Sequence, residues 1–172
     1  MADLILNKFV CVEETDEVGS DSPYFLLFVG RPGNKPTSKV TRIRRDAWDG
    51  EIDSGDRRVL NQNVANDVGK STLVLVALME EDADPDVGTV GTIVLQSRMQ
   101  EAFKGIGSVG GIMPAQMESL MVNEFTKAID SVASNDELIS IRRVNINTLS
   151  GPLPVLDFKG DGGHYRVHFV MA

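Results

Sequence analysis

The sequence predicts a mainly β protein: an antiparallel β-sandwich of about eight strands with an inserted pair of amphipathic helices near residues 93–133. Three observations carry this. Most of the chain is short runs, either solidly apolar or alternating, broken by Gly, Pro, Asn and Asp turns. The apolar period changes from two to 3.6 in one block only. Grouped helices, as opposed to helices alternating with strands, argue against βαβ units and for a single domain spanning residues 1–172.

In chain order, residues 4–12 alternate loosely (Leu4, Leu6, then Phe9 to Val12) and form a first strand. Residues 24–29 (YFLLFV) form a solid core strand, and GRPGNKPTS at 30–38 is a loop. KVTRIRR at 39–45 alternates basic and apolar residues, as a half-exposed strand does. DAWDGE at 46–51 is a turn, Arg57 to Val59 mark a strand end, and residues 61–70 read as a polar loop. Residues 73–79 (LVLVALM) are a Val- and Leu-rich run with the signature of a strand buried on both faces.

Helical spacing follows at Leu95, Met99, Ala102, Phe103 and Ile106, and again at Met117, Leu120, Met121, Phe125, Ala128, Ile129 and Val132. These place helices at 93–104 and 114–133, with Pro114 in a first turn and the glycine-rich GIGSVGGIM between them. Residues 138–146 alternate as a strand. Residues 155–158 and 164–171 form a C-terminal hairpin around KGDGG, its second strand wet on the face of His164, Arg166 and His168.

The net charge of −8 and pI of about 4.7 disfavour nucleic acid and anionic membrane as partners, since both demand basic patches. They suit a protein that binds cations. The single cysteine, Cys11, lies in an apolar run and is expected as a small buried hydrophobe; no internal disulfide can form. The N-terminus lacks the basic start of a signal peptide and no run is long enough to span a bilayer, so the expected location is cytoplasmic, or outside by export without a cleavable signal.

Acidic residues concentrate in three connections. Residues 13–21 carry Glu13, Glu14, Asp16, Glu17 and Asp21; residues 46–51 carry Asp46, Asp49 and Glu51; residues 80–86 carry Glu80, Glu81, Asp82, Asp84 and Asp86. If successive strands alternate in direction, all three fall at one end of the sandwich, and the loops bearing Arg31, Lys35 and Lys70 fall at the other. Converging carboxylates repel unless a cation joins them, and an irregular all-oxygen set suits calcium. Glu80 and Glu81 are expected to be solvated neighbours of such a site.

The acidic loop ending GSDSPY (19–24), the apolar strand after it, the later Trp48 turn, and the strand running into DADPD and Gly88 resemble the calcium- and phospholipid-binding β-sandwich first described in protein kinase C. The resemblance spans about the first 95 residues, with Ser22 standing between Asp21 and the proline. It implies calcium as cofactor, held by Asp16 and Asp21 of the first loop and Asp82 and Asp84 of the third, with Asp86 following. The helical block, where the family's sandwich would finish, departs from that pattern.

Other chemistries are weaker. VGKST at 68–72 is not a phosphate-binding loop, because Val64 stands where that motif needs glycine. His164 and His168, with Asp157 and Asp161 nearby, share one strand face but lie ~13 Å apart, too far for one metal. No nucleophile elbow or zinc-helix motif is present, so a non-enzymatic binding module is expected. The methionines of the helical block (Met99, Met113, Met117, Met121) suggest, as an alternative, an adaptable surface for a protein partner, self-association or lipid insertion, against the simpler expectation that the helices cover one face or edge of the sandwich.

Overall fold

A computed structural model describes residues 1–15, 22–33, 35–43, 52–81, 87–108, 114–133, 136–160 and 162–172. Its elements run β1 (Ala2–Glu13), β2 (Pro23–Arg31), β3 (Thr37–Ile43), β4 (Arg57–Val68), β5 (Leu73–Glu80), α1 (Thr89–Ser108), α2 (Pro114–Asp130), β6 (Glu137–Arg143), β7 (Gly151–Pro152), β8 (Leu156–Gly160) and β9 (Gly163–Met171). A five-stranded sheet has the order β4-β1-β9-β7, with β8 also paired to β9, and a four-stranded sheet has the order β3-β2-β5-β6. Every pairing in both is antiparallel. This is the expected sandwich with its helical insertion.

The molecule has three layers because β2 and β5 are apolar on both faces. Phe25, Leu27, Val29, Val74, Val76 and Leu78 meet Leu4, Leu6, Phe9, Val167 and Phe169 of the other sheet. The intervening residues, Leu26, Phe28, Leu75, Ala77 and Met79, face away from that sheet and meet Leu95, Met99 and Phe103 of α1 and Met121 and Phe125 of α2. All eight residues of β5 are buried. Each of its buried Leu, Val and Met side chains contributes about 1.5–3 kcal/mol by leaving water. Phe103 packs edge-on to Phe28, centroids 5.6 Å apart. Met99 and Met121 are fully buried, so these two methionines serve the core and not a surface.

Helix α1 also covers an edge strand. The Gln96 amide accepts a hydrogen bond from Val40 N and donates to Ser38 O at 3.2 Å. These are backbone groups of β3, which has a sheet neighbour on one side only. An exposed row of such groups invites pairing with another chain.

Three expectations need correction. Residues 61–70, read as a loop, mostly belong to β4, an edge strand. Its register against β1 runs Leu4↔Ala65 then Ile5↔Asn63, so Val64 is an extra, bulged residue; Asn61 and Asp67 hold positive φ of 48° and 52°. The bulge breaks the alternation that reveals a strand. Helix α1 begins before residue 93 and continues past 104 through Gly105 and Gly107, while α2 starts at Pro114 as expected and ends before 133; burial of the Met99–Phe103 side outweighs the cost of about 1 kcal/mol per helical glycine. Glu80, expected in solvent, is 3% exposed.

Candidate functional site

The end of the sandwich where the acidic connections meet is built by strand register. Pro23 of β2 pairs with Glu80 of β5, and Phe25 pairs with Ile43 of β3. The connection entering β2, the one leaving β3 and the one leaving β5 therefore share one end. Glu81 N donates to Ser22 O at 3.3 Å, and Ser22 N donates to the Glu80 carboxylate at 2.7 Å. Glu80 thus acts as framework, joining the base of the first acidic loop to the base of the third.

The turn before β4 closes on the same end. Cys11 N donates to Asp56 O and Gly55 N to Cys11 O, each at 2.9 Å, while Glu14 N donates to Ser54 Oγ at 3.0 Å. Cys11 itself is buried and in no disulfide, as its apolar setting predicts. Asp136 was not singled out in the sequence, where SNDE reads as a helix terminator. Its carboxylate accepts from Tyr24 Oη at 2.6 Å and Val87 N at 3.2 Å, fixing the start of α1 beside β2. Glu137 is the register partner of Glu80. Acidic residues thus extend along the rim beyond the three loops, through Asp53, Asp56, Asp136 and Glu137.

The five expected ligands, Asp16, Asp21, Asp82, Asp84 and Asp86, lie outside the described residues, as do Asp46, Asp49 and Trp48. Their neighbours place the loop bases together. Among the described residues no group of three or more His, Cys, Asp or Glu side chains is arranged to hold a metal.

The opposite end holds the connections between β2 and β3 and between β4 and β5, with Gly30 paired to Leu73. Arg31, Lys35 and Lys70 fall here, as the parity of antiparallel strands requires.

The wet face of β9 is as expected: His164, Arg166 and His168 point away from the core between buried Tyr165, Val167 and Phe169. Asp157 of β8 is the partner of this row. Its Oδ1 lies 2.8 Å from His164 Nε2 and accepts from Arg166 Nε at 3.2 Å. The bond with His164, then that from Arg166, hold the Asp157 carboxyl below the usual carboxylate range. Burial, then the positive charges of Lys8, Arg57 and Arg166, push His168 down. Among the described residues no hydroxyl or thiol hydrogen-bonds to His164.

No helix among the described residues is long and apolar enough to cross a membrane. No protein-family model matches the sequence, and no curated protein matches it.

Proposed function

We propose that the chain is a non-enzymatic calcium-binding β-sandwich module whose cation site is formed by the acidic loops at one end. The observation that carries this is the register that brings Ser22 and Glu81 into direct hydrogen bonding, which joins the loop of Asp16 and Asp21 to that of Asp82, Asp84 and Asp86. The donor set fits a hard cation: carboxylates supply oxygens, and calcium accepts six to eight of them in irregular geometry. Glu80 is not a ligand in this scheme, because it is buried and already bonded to Ser22 N. Bound calcium would neutralise the mutual repulsion of the loops and order them on the Glu80 and Asp136 frame.

Heat melting in chelator, in millimolar magnesium and in millimolar calcium tests it. At a hundredfold excess over its Kd, calcium stabilises the folded state by about 2.7 kcal/mol, and each kcal/mol moves Tm by about 2–4 °C at this chain length. The double variant Asp82→Asn, Asp84→Asn is expected to melt higher than the parent in chelator, through relieved repulsion, and to lose the calcium response. A parent Tm that is the same in chelator and calcium refutes the proposal.

A further inference from the structure

The sandwich is closed along one side and open along the other. On the closed side β8 lies against β6, with Arg142 Nε donating to Asp157 O at 2.8 Å. On the open side the edge strands β3 and β4 leave a cavity of about 400 Å³. That volume lies within the range of about 300–1,000 Å³ typical of small-molecule sites. Val29, Val64 and Ala65 line it, and all three are buried. They form an apolar floor because the β4 bulge makes Val64 and Ala65 consecutive buried residues, which regular alternation forbids.

The rim is cationic and amide-bearing. Arg31 reaches across the opening from β2 and donates to Asn66 O at 2.6 Å, which uses one guanidinium nitrogen and fixes the fork. Lys39 of β3 stands on the same rim. Neither forms an ion pair with a described residue, in a chain of net charge −8. Asn63 and Asn66 add side-chain amides, linked by a 2.7 Å hydrogen bond. The carboxylate tied to this lining, Asp3, is already engaged by Asn63 Nδ2 at 3.2 Å and by Asp67 N at 3.3 Å. The buried Thr41 hydroxyl, on the same side of β3 as Lys39, has no hydrogen-bond partner among the described residues. Lys35 and Lys70 lie in the connections at this end and add to the positive potential.

We propose that this cleft binds a small organic oxyanion, a carboxylate or phosphate ester, carrying a short apolar body. The oxyanion sits between the Arg31 fork and the Lys39 ammonium, a pairing whose geometry favours planar or tetrahedral oxygens. The apolar body covers Val29, Val64 and Ala65. This assignment is independent of the acidic end and of any cation bound there.

Backbone amide NMR of the whole chain, titrated with butyrate, propyl phosphate and the neutral isostere butyramide at constant ionic strength, tests it. Either anion is expected to shift the amides of Arg31, Lys39 and residues 63–66 saturably, and the tighter of the two identifies the oxyanion. Butyramide is expected to bind at least about tenfold more weakly, since it cannot form charge-assisted bonds. Lys39→Gln, at an exposed position, is expected to weaken the anion about fivefold or more without lowering Tm, and Arg31→Lys to weaken it while keeping the charge. Equal shifts by butyramide, no saturable shifts at these residues, or an affinity unaltered by Lys39→Gln overturns the proposal.

Discussion

Replacing Gly160 by alanine probes the closed side of the sandwich most directly. A Cβ on Gly160 falls 2.3 Å from the carbonyl oxygen of Ile139 and 3.1 Å from its carbonyl carbon. Carbon–oxygen contacts ordinarily settle at about 3.3–3.6 Å, so β8 and β6 must separate by roughly 1 Å. The obstacle is backbone, with no rotamer to turn aside. Overpacking of this kind costs about 1–3 kcal/mol, and at this chain length the same loss lowers Tm by about 2–12 °C. Gly151 is the control, because its φ of 79° is left-handed while a Cβ there meets nothing within 4 Å. At Gly151, asparagine is expected to be better tolerated than alanine, since it visits that conformation more readily. At Gly160, tolerance falls with side-chain size whatever the conformational preference. Urea unfolding followed by circular dichroism measures both series. A Gly160→Ala variant within about 0.5 kcal/mol of the parent, the scatter of ordinary surface changes, would mean that β8 does not press on β6 and that this side is not closed as described.

Two further expectations concern the helix layer and the wet face. Phe103→Ala removes a 1% exposed ring packed edge-on to Phe28 and is expected to cost about 3–5 kcal/mol in urea unfolding; a loss below about 1 kcal/mol would detach α1 from the core. His168 is held below its ordinary value of 6.5 by burial and by Lys8, Arg57 and Arg166, with Asp157 opposing them. The unfolded chain therefore takes up this proton first as pH falls, so the stability due to neutral His168 is complete above the ordinary value and declines as pH drops below it. Melting the parent and His168→Gln across pH 5 to 8 checks the sign: the variant should show a shallower decline on the acid side, and an identical decline excludes His168 as its source.

The legibility of each element follows from how it is buried. β2 and β5 face two cores at once, so their sequences are unbroken apolar runs. β9 faces one core and water, so His164, Arg166 and His168 alternate cleanly with Tyr165, Val167 and Phe169. β4 hides because Asn61, Val64 and Asp67, which bend and bulge it, are what make NQNVANDV look like a loop. The acidic end was accessible through strand parity, which needs only the order of strands. Its frame was not: nothing in the sequence distinguishes Glu80 and Asp136 from the other acids near them, and both became visible through the backbone amides they accept from. The cleft left no local trace, since Arg31, Lys39, Asn63 and Asn66 come from separate segments and acquire a common purpose only when two sheet edges face one another.

Antiparallel connectivity also explains why opposite charges end up at opposite ends. Connections alternate between the two ends along β1 to β5, and the acidic and basic ones alternate with them, so each end collects an excess of one sign although the strands between are nearly neutral. β1 alone has 12 residues, and at ~3.3 Å per residue the two ends stand some 30–40 Å apart. Physiological salt screens charges over about 8 Å. The electrostatic field of one end is therefore spent well before the other, and the core between them consists of two close-packed interfaces with no described element held in two arrangements. Each end is consequently free to act as its own site: calcium need not alter the affinity of the cleft, nor an oxyanion that of the acidic loops. A negative calcium titration leaves the cleft standing, and a negative anion titration leaves the acidic end standing, because the two rest on opposite ends of the strands, different side chains and opposite charge.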